Sequence, residues 1–132
     1  MNISKQVVIV SAERHNLTDV VNEQRTESFK GLLTDANIGF NSAIGVYSQK
    51  RENSLVVVVN NQAEYQAVTD FAFLNFDQES ILHQDSNQEA RLVFANGATE
   101  GLGRLESVTP EVAVKRDSYT ILNGGYYKTN KR

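Results

Sequence analysis

Residues Ser54–Asn60 read Ser-Leu-Val-Val-Val-Val-Asn, and this stretch decides the fold. Four consecutive β-branched, apolar residues between polar neighbours predict a strand. A strand on a sheet with one wet face alternates apolar and polar side chains. Leu55-Val56-Val57-Val58-Val59 does not alternate, so both of its faces require dry surroundings. The strand is therefore central, and it needs covering from two sides.

Downstream, Asn61 suits the cap of a helix over Gln62–Phe76, with Glu64 three residues on in capping-box position. Ala63, Ala67, Phe71 and Leu74 form the predicted buried stripe of that helix. Upstream, Ile38–Ser48 is a strand-like stretch of mixed polarity. Ahead of it, Leu17, Val20, Val21, Phe29, Leu32, Leu33 and Ala36 recur at helical spacing, with Asp19, Glu23, Glu27 and Lys30 on the other face. Asn16 or Thr18 can cap this helix, and Asn37 with Gly39 can stop it. Lys5–Ala12 reads as a buried strand. Ser80–Gln84 and Arg91–Ala95 read as two more, and Tyr119–Leu122 as a last one. Gly97–Gly103 and Gly124-Gly125 read as turns, and about 123–132, ending in the basic Lys128–Arg132, as a flexible tail.

The order β-α-β-β-α-β with C-terminal additions is the signature of an α+β ferredoxin-like sandwich, an antiparallel sheet with two helices on one face. Two helices cover one side of the valine strand. The C-terminal additions or a second subunit must cover the other, and the second subunit is the favoured expectation.

The chain of 132 residues has the length of a single domain, 1–132, and shows neither repeat nor linker. A net charge of −3 gives no basic footprint for nucleic acid. No apolar run approaches the roughly 20 residues of a membrane span. The absence of cysteine excludes disulfides and a thiol nucleophile. Met1–Lys5 has no apolar signal core, so a cytosolic chain is expected. His15 and His83 lie far apart in sequence and form no spaced ligand pair, so no metal is expected. No serine sits in a nucleophile elbow, and Gly97, Gly101 and Gly103 do not lie between a strand and a helix as a phosphate cradle would. Arg91-Leu92-Val93-Phe94 offers a single aromatic, too little for RNA stacking. What remains are polar residues at strand ends: Ser11, Glu13, Arg14 and Asn16, then Tyr47 and Glu52, then Glu89. By type and spacing, each is more readily solvated surface than part of a site.

A longer pattern changes that balance. The segment Ser11-Ala12-Glu13-Arg14-His15-Asn16-Leu17-Thr18-Asp19-Val20-Val21-Asn22-Glu23-Gln24-Arg25 resembles the S-A-x-R-x-N-L-x-D-x-V-N-x-x-R stretch of the phage S-adenosylmethionine-degrading enzymes. Leu92-Val93-Phe94-Ala95-Asn96-Gly97 is similar to their L-V-aromatic-A-x-G strand and turn. Gly45-Val46-Tyr47 and Glu52 fall in the same order between the two motifs. The likeness spans about Gln6 to Val108. The connection between Tyr47 and Glu52 is shorter than in those relatives.

The resemblance implies a homotrimer of ferredoxin-like sandwiches, related to the PII (GlnB-like) proteins, with active sites between subunits. It implies a lyase without cofactor, in which the carboxylate of S-adenosylmethionine attacks its own γ-carbon and releases methylthioadenosine and homoserine lactone. Tyr47 and Glu52 would be the catalytic pair. Glu89 would bind the ribose, and Ser11 and Arg14 would bind substrate or simply frame the helix start. The implied setting is the cytoplasm of an infected bacterial host, as counter-defence against restriction–modification. A non-enzymatic PII-like module that binds an adenine nucleotide or S-adenosylmethionine at subunit interfaces is the competing reading.

Overall fold

A computed structural model describes residues 6–47, 50–115 and 118–129. The first half runs β1 (Gln6–Val10), α1 (Asp19–Asp35), β2 (Phe40–Tyr47), β3 (Lys50–Val59) and α2 (Gln62–Asp70), which continues as a π-helical turn over Phe71–Asn75. The second half runs β4 (Ser80–Gln84), β5 (Ala90–Phe94), β6 (Thr99–Gly103), β7 (Leu105–Val108), α3 (Pro110–Ala113), β8 (Ser118–Leu122) and β9 (Gly125–Thr129). The fold is α+β. Among the described residues, nine strands form one sheet in the order β6-β5-β4-β1-β3-β2-β8-β9-β7, and every neighbouring pair is antiparallel.

The valine strand lies where its composition demands, between β1 and β2. Cross-strand partners share a face, so Val8 and Val10 of β1 join Leu55, Val57 and Val59 of β3 against the helices. Phe29 and Leu33 of α1 meet Val68, Ala72 and Phe76 there. Phe29 stacks on Phe76 with ring centroids 4.8 Å apart and meets Phe71 edge-on at 6.3 Å. His83 sits at the margin of this layer, 2.8 Å from Gln6 Oε1 and against the Tyr65 ring at 4.5 Å. Burial lowers its pKa, and the nearby Arg91 adds to the effect.

Both helices begin as their sequences predict. The Thr18 hydroxyl accepts from the Val21 N–H at 3.2 Å. Asn61 Oδ1 accepts from the Glu64 N–H at 2.9 Å, while Glu64 Oε1 reaches back to the Asn60 N–H at 3.0 Å. Their buried stripes differ from the expected ones. On α1 the buried positions are Asn22, Thr26, Phe29 and Leu33, whereas Val20 and Val21 are exposed. The first turns of α1 face a polar loop rather than the core, which makes an amide and a hydroxyl the better buried groups. On α2 the buried residues are Val68 and Thr69, followed by Ala72 in the π turn, while Leu74 is 79% exposed. The wider turn after Asp70 carries an i+5→i bond from the Phe76 N–H to the Phe71 carbonyl at 3.2 Å. That bond rotates the following residues off the α-helical stripe.

The C-terminal third departs most from expectation. Gly97–Gly103 is not one turn: a turn ends at Ala98, and Thr99–Gly103 is a strand paired with β5. The reading of 123–132 as a flexible tail is corrected over Gly125–Thr129, which forms β9 between β8 and β7. Asn123 (φ 51°) and Gly124 (φ 79°) make the two-residue hairpin loop that leads into it. Lys128, expected at a frayed end, is buried and ion-paired with Glu106 at 2.6 Å.

β6 and β7 lie at opposite edges of the sheet, yet Arg104 alone joins them. Two peptide units span at most about 7 Å, so the sheet must curl until its edges meet. Gly103, at φ 77°, makes the corner. The face turned away from the helices becomes the inside of the curl. Ile9, Leu82, Leu92, Leu102, Leu105 and Tyr127 line an open cavity there of about 1150 Å³. The curl therefore covers part of the second face of the valine strand from within the chain, while Val58 on the same face is 38% exposed. Val56, on that face, is 7% exposed. No helix of the described residues is long and apolar enough to cross a membrane.

Deleting a core side chain here should be costly. Leu33→Ala, at a fully buried position, is expected to lower unfolding free energy by about 2–5 kcal/mol in urea titrations, and Leu74→Ala by less than about 0.5 kcal/mol.

Candidate active site

β1 ends at Val10, and the next eight residues carry the chain across the top of the sheet into α1. That loop is fixed by polar side chains. Asn22 Oδ1 accepts from the Arg14 N–H at 2.9 Å, and its Nδ2 donates back to the Arg14 carbonyl at 3.0 Å. The Arg14 guanidinium donates to the Asp77 carbonyl and lies 3.7 Å from the Asp77 carboxylate. Arg25 Nε donates to the Ala12 carbonyl at 2.7 Å, and its Nη2 donates to the Phe76 carbonyl. The same guanidinium stands 5.5 Å over the Phe76 ring. The Ser11–Arg25 segment thus staples three pieces of chain together: the end of β1, the start of α1 and the segment after the π turn. Arg14 is committed to that staple through Asp77.

Ser11 points the other way, toward β3. Its hydroxyl donates to the Asn53 carbonyl at 2.9 Å and stands near enough to Glu52 to lower the pKa of its carboxyl. Glu52 lies opposite Gly45 in the β2–β3 ladder. A Cβ at Gly45 would come within 3.1 Å of Ser54 Oγ, so glycine leaves room for that hydroxyl beside Glu52. Glu52 stands where two concavities meet. One is the large cavity inside the curl. The other is a groove of about 630 Å³ between α1 and β2–β3, bordered by Glu13, Asp19, Glu23 and Arg51. Both are large enough for a small ligand. Glu52 is exposed overall, yet the surroundings of its carboxyl are dry enough to raise its pKa above the usual value. Desolvation is the main cause, the Ser11 hydroxyl opposes it, the Glu13 charge adds to it and His15 opposes it. Among the described residues, no three histidine, aspartate or glutamate side chains converge as metal ligands would.

Of the residues expected at a site, the structure brings Ser11 and Glu52 together and turns the Arg14 guanidinium to Asp77. Tyr47 closes β2, its backbone paired with Lys50 and Ser118. It stands two residues, or roughly 7 Å, along the strand from the Gly45–Glu52 pair; its side chain lies outside the described residues. Glu89 is not brought to this site. It sits at the turn into β5, level with the start of β1, because Ala90 pairs with Gln84 and Gln84 with Val7. Glu52 lies beyond the other end of β1, on the order of 20 Å away. Glu89 instead stands 3.7 Å from Arg104 at the corner of the curl. Sequence reasoning missed the parts played by Asn22, Arg25 and Asn53. The first two belonged to the quoted motif, but a buried amide and a doubly bonded guanidinium show themselves only once the loop is folded.

A desolvated carboxylate at the mouth of a cavity, framed by a polar loop at strand ends, defines an α+β protein built around a small-molecule site. Comparison with family models places residues 8–130 in the S-adenosylmethionine lyase family. The match covers nearly the whole chain, and the protein belongs to that family: it is a lyase acting on S-adenosylmethionine. The comparison with individual curated proteins returns no match.

The raised pKa of Glu52 carries a stability prediction with a definite sign. A group whose pKa is raised by folding stabilises the fold fully below its unfolded value, here 4.5, and loses that contribution as pH rises through its folded value. Glu52→Gln should therefore melt at higher temperature than the parent at pH 7, with the gap closing below pH 4.5 in calorimetric scans.

Proposed function

We propose that Glu52 binds the ammonium of S-adenosylmethionine at the mouth of the cavity, and that the protein cleaves this substrate by intramolecular displacement. The substrate carboxylate attacks its own γ-carbon, a C–O bond forms, and the Cγ–S bond breaks with its electron pair going to sulfur. The sulfonium becomes the neutral thioether of methylthioadenosine, and the carboxylate becomes the ester of homoserine lactone. Charge balances within the substrate, so no proton has to move. Such a reaction asks the protein for shape and desolvation rather than for an acid or a base; well-aligned intramolecular attack can lower a barrier by roughly 7–11 kcal/mol.

The observation that carries this reading is Glu52 itself, a carboxylate with a raised pKa set between two concavities in a chain of this family. A cation paired with a desolvated carboxylate is held more firmly than one in water. Glu13, Asp19 and Glu23 border the groove beside it and favour a positively charged substrate. Holding the ammonium rather than the sulfonium leaves the breaking bond unhindered, because stabilising the ground-state sulfonium would slow its loss. Tyr47, near Glu52 along β2, supplies a hydroxyl and a π face for the same cationic chain.

The assembly proposed is a homotrimer with shared sites. The four central strands, in the order β4-β1-β3-β2 with α1 and α2 on one side, are consistent with a ferredoxin-like unit of the kind that associates in PII proteins. A ribose-binding role for Glu89 goes with that assembly, since a second copy has to bring it to Glu52. The biological role proposed is counter-defence, in which loss of S-adenosylmethionine starves methylation-linked restriction in the cytoplasm of an infected bacterium.

Two measurements test the chemistry and the assembly. In ¹⁸O-water the first product should be unlabelled homoserine lactone with equimolar methylthioadenosine; labelled homoserine appearing first would make the reaction a hydrolysis. Glu52→Gln and Glu89→Ala should each lose at least about tenfold in kcat/KM, and mixing the two after mild dissociation should restore part of the parental rate. A mixture as inactive as its components would remove the shared site.

A further inference from the structure

We propose that Ser11 and Glu13 are positioning residues for Glu52, acting through the backbone of Asn53. The inference deepens the reading of Glu52 as the substrate-binding carboxylate and rests on it for its functional consequence. In the antiparallel ladder Val10 pairs with Leu55, so a longer β1 would set residue 12 opposite Asn53. The N–H and C=O of a strand residue point to the same side, and those of Asn53 point to where that partner would lie. The chain turns toward α1 instead, and two side chains fill the place.

Ser11 Oγ donates to the Asn53 carbonyl at 2.9 Å, and Glu13 Oε2 accepts from the Asn53 N–H at 3.0 Å. The Glu13 N–H donates to Ser11 Oγ at 3.0 Å and closes the ring. The ring is anchored from outside. Gln78 Nε2 donates to the Glu13 carbonyl at 3.1 Å, and Arg25 Nε donates to the Ala12 carbonyl at 2.7 Å. β3 is thereby held at its open end, one residue from Glu52.

The two side chains also act on the Glu52 carboxylate with opposite sign. The Ser11 hydroxyl dipole lowers the Glu52 pKa, and the Glu13 charge raises it. Other ionisable groups share the surroundings. Arg14 and His15 stand on the loop. Asp19, Glu23, Glu27 and Lys30 lie on α1 across the groove, and Lys50 and Arg51 on β3 itself. Across the cavity stand Glu100 on β6, Tyr119 on β8, and Tyr127 and Lys128 on β9. None of these changes in the variants below, so the differences between variants isolate Ser11 and Glu13.

The test is a pH titration of the Glu52 side-chain carboxyl by ¹³C NMR in protein labelled at glutamate, with the resonance assigned by its loss in Glu52→Gln. Ser11→Ala should move the Glu52 midpoint up. Glu13→Gln, which keeps an oxygen for the Asn53 N–H but removes the charge, should move it down. Ser11→Thr, retaining the hydroxyl, should return it to the parental position. If Ser11→Ala does not fold, Ser11→Cys keeps the volume with a weaker donor and should shift the midpoint in the same upward direction. The acid limb of kcat/KM for S-adenosylmethionine should follow these directions, with Ser11→Ala about tenfold below the parent at neutral pH and Ser11→Thr restoring most of the loss. Midpoints that stay put, or move the same way in Ser11→Ala and Glu13→Gln, overturn the proposal. The titration is read without substrate. Opposite shifts in a protein that leaves S-adenosylmethionine intact would therefore sink the reading of Glu52 as a substrate group while upholding the positioning.

Discussion

A strand whose two faces are both apolar must be dried twice, and the rest of this molecule follows from that demand. Val57 needs the helices on one side, and Val56 needs cover on the other. The helical layer is short in sequence and forms around Phe29, Leu33 and Val68. Part of the second cover, over Val56 but not Val58, is made by the sheet itself. It extends at both ends, through β5 and β6 beyond β4 and through β8, β9 and β7 beyond β2, and curls until Arg104 spans the gap. β6 and β7 remain the two edges of the sheet, with no ladder between them, and the curl brings them together at Arg104. The curl also leaves a lined hollow beneath the strand that carries Glu52.

The family motif and the chemistry divide the site between them. Polar side chains of the Ser11–Arg25 segment are spent on backbone groups, as Arg25 is on the Ala12 and Phe76 carbonyls and Asn22 on the Arg14 N–H and carbonyl. The segment builds a stiff rim. Glu52, which lies outside it in sequence, stands on that rim with a carboxyl partly freed from water. A lyase whose nucleophile and leaving group both belong to the substrate needs just such an arrangement, with little reactive chemistry and much placement.

The first half of the fold was legible because its signals are local. Valine runs mark β1 and β3, Thr18 and Asn61 mark the helix starts, and the spacing of Phe29 and Leu33 marks the face that α1 buries. The second half was not, and the reasons differ by element. β6, Thr-Glu-Gly-Leu-Gly, has the composition of a turn and is a strand only because β5 offers it a ladder. β9 carries a lysine whose burial depends on Glu106, on a strand distant in sequence. The π turn shifted the α2 stripe without leaving a mark in the hydrophobic pattern. At the site, Glu52 and Ser11 could be named only through the family resemblance, while the distance of Glu89 from them could be read only from strand register.

The curl also fixes an order of assembly. β8 pairs with β2 although every element from β3 to α3 lies between them in sequence, and β9 must be in place before β7 has any neighbour at all. The β2–β8 pairing closes as long a loop as the β1–β4 pairing does, and both carry a large loop-closure entropy. During synthesis the helical layer can dry one side of β3 early, while its other side stays wet until the last of these strands is made. The wall across from Glu52 is thus the final piece to arrive, and a chain still growing has a rim but no chamber.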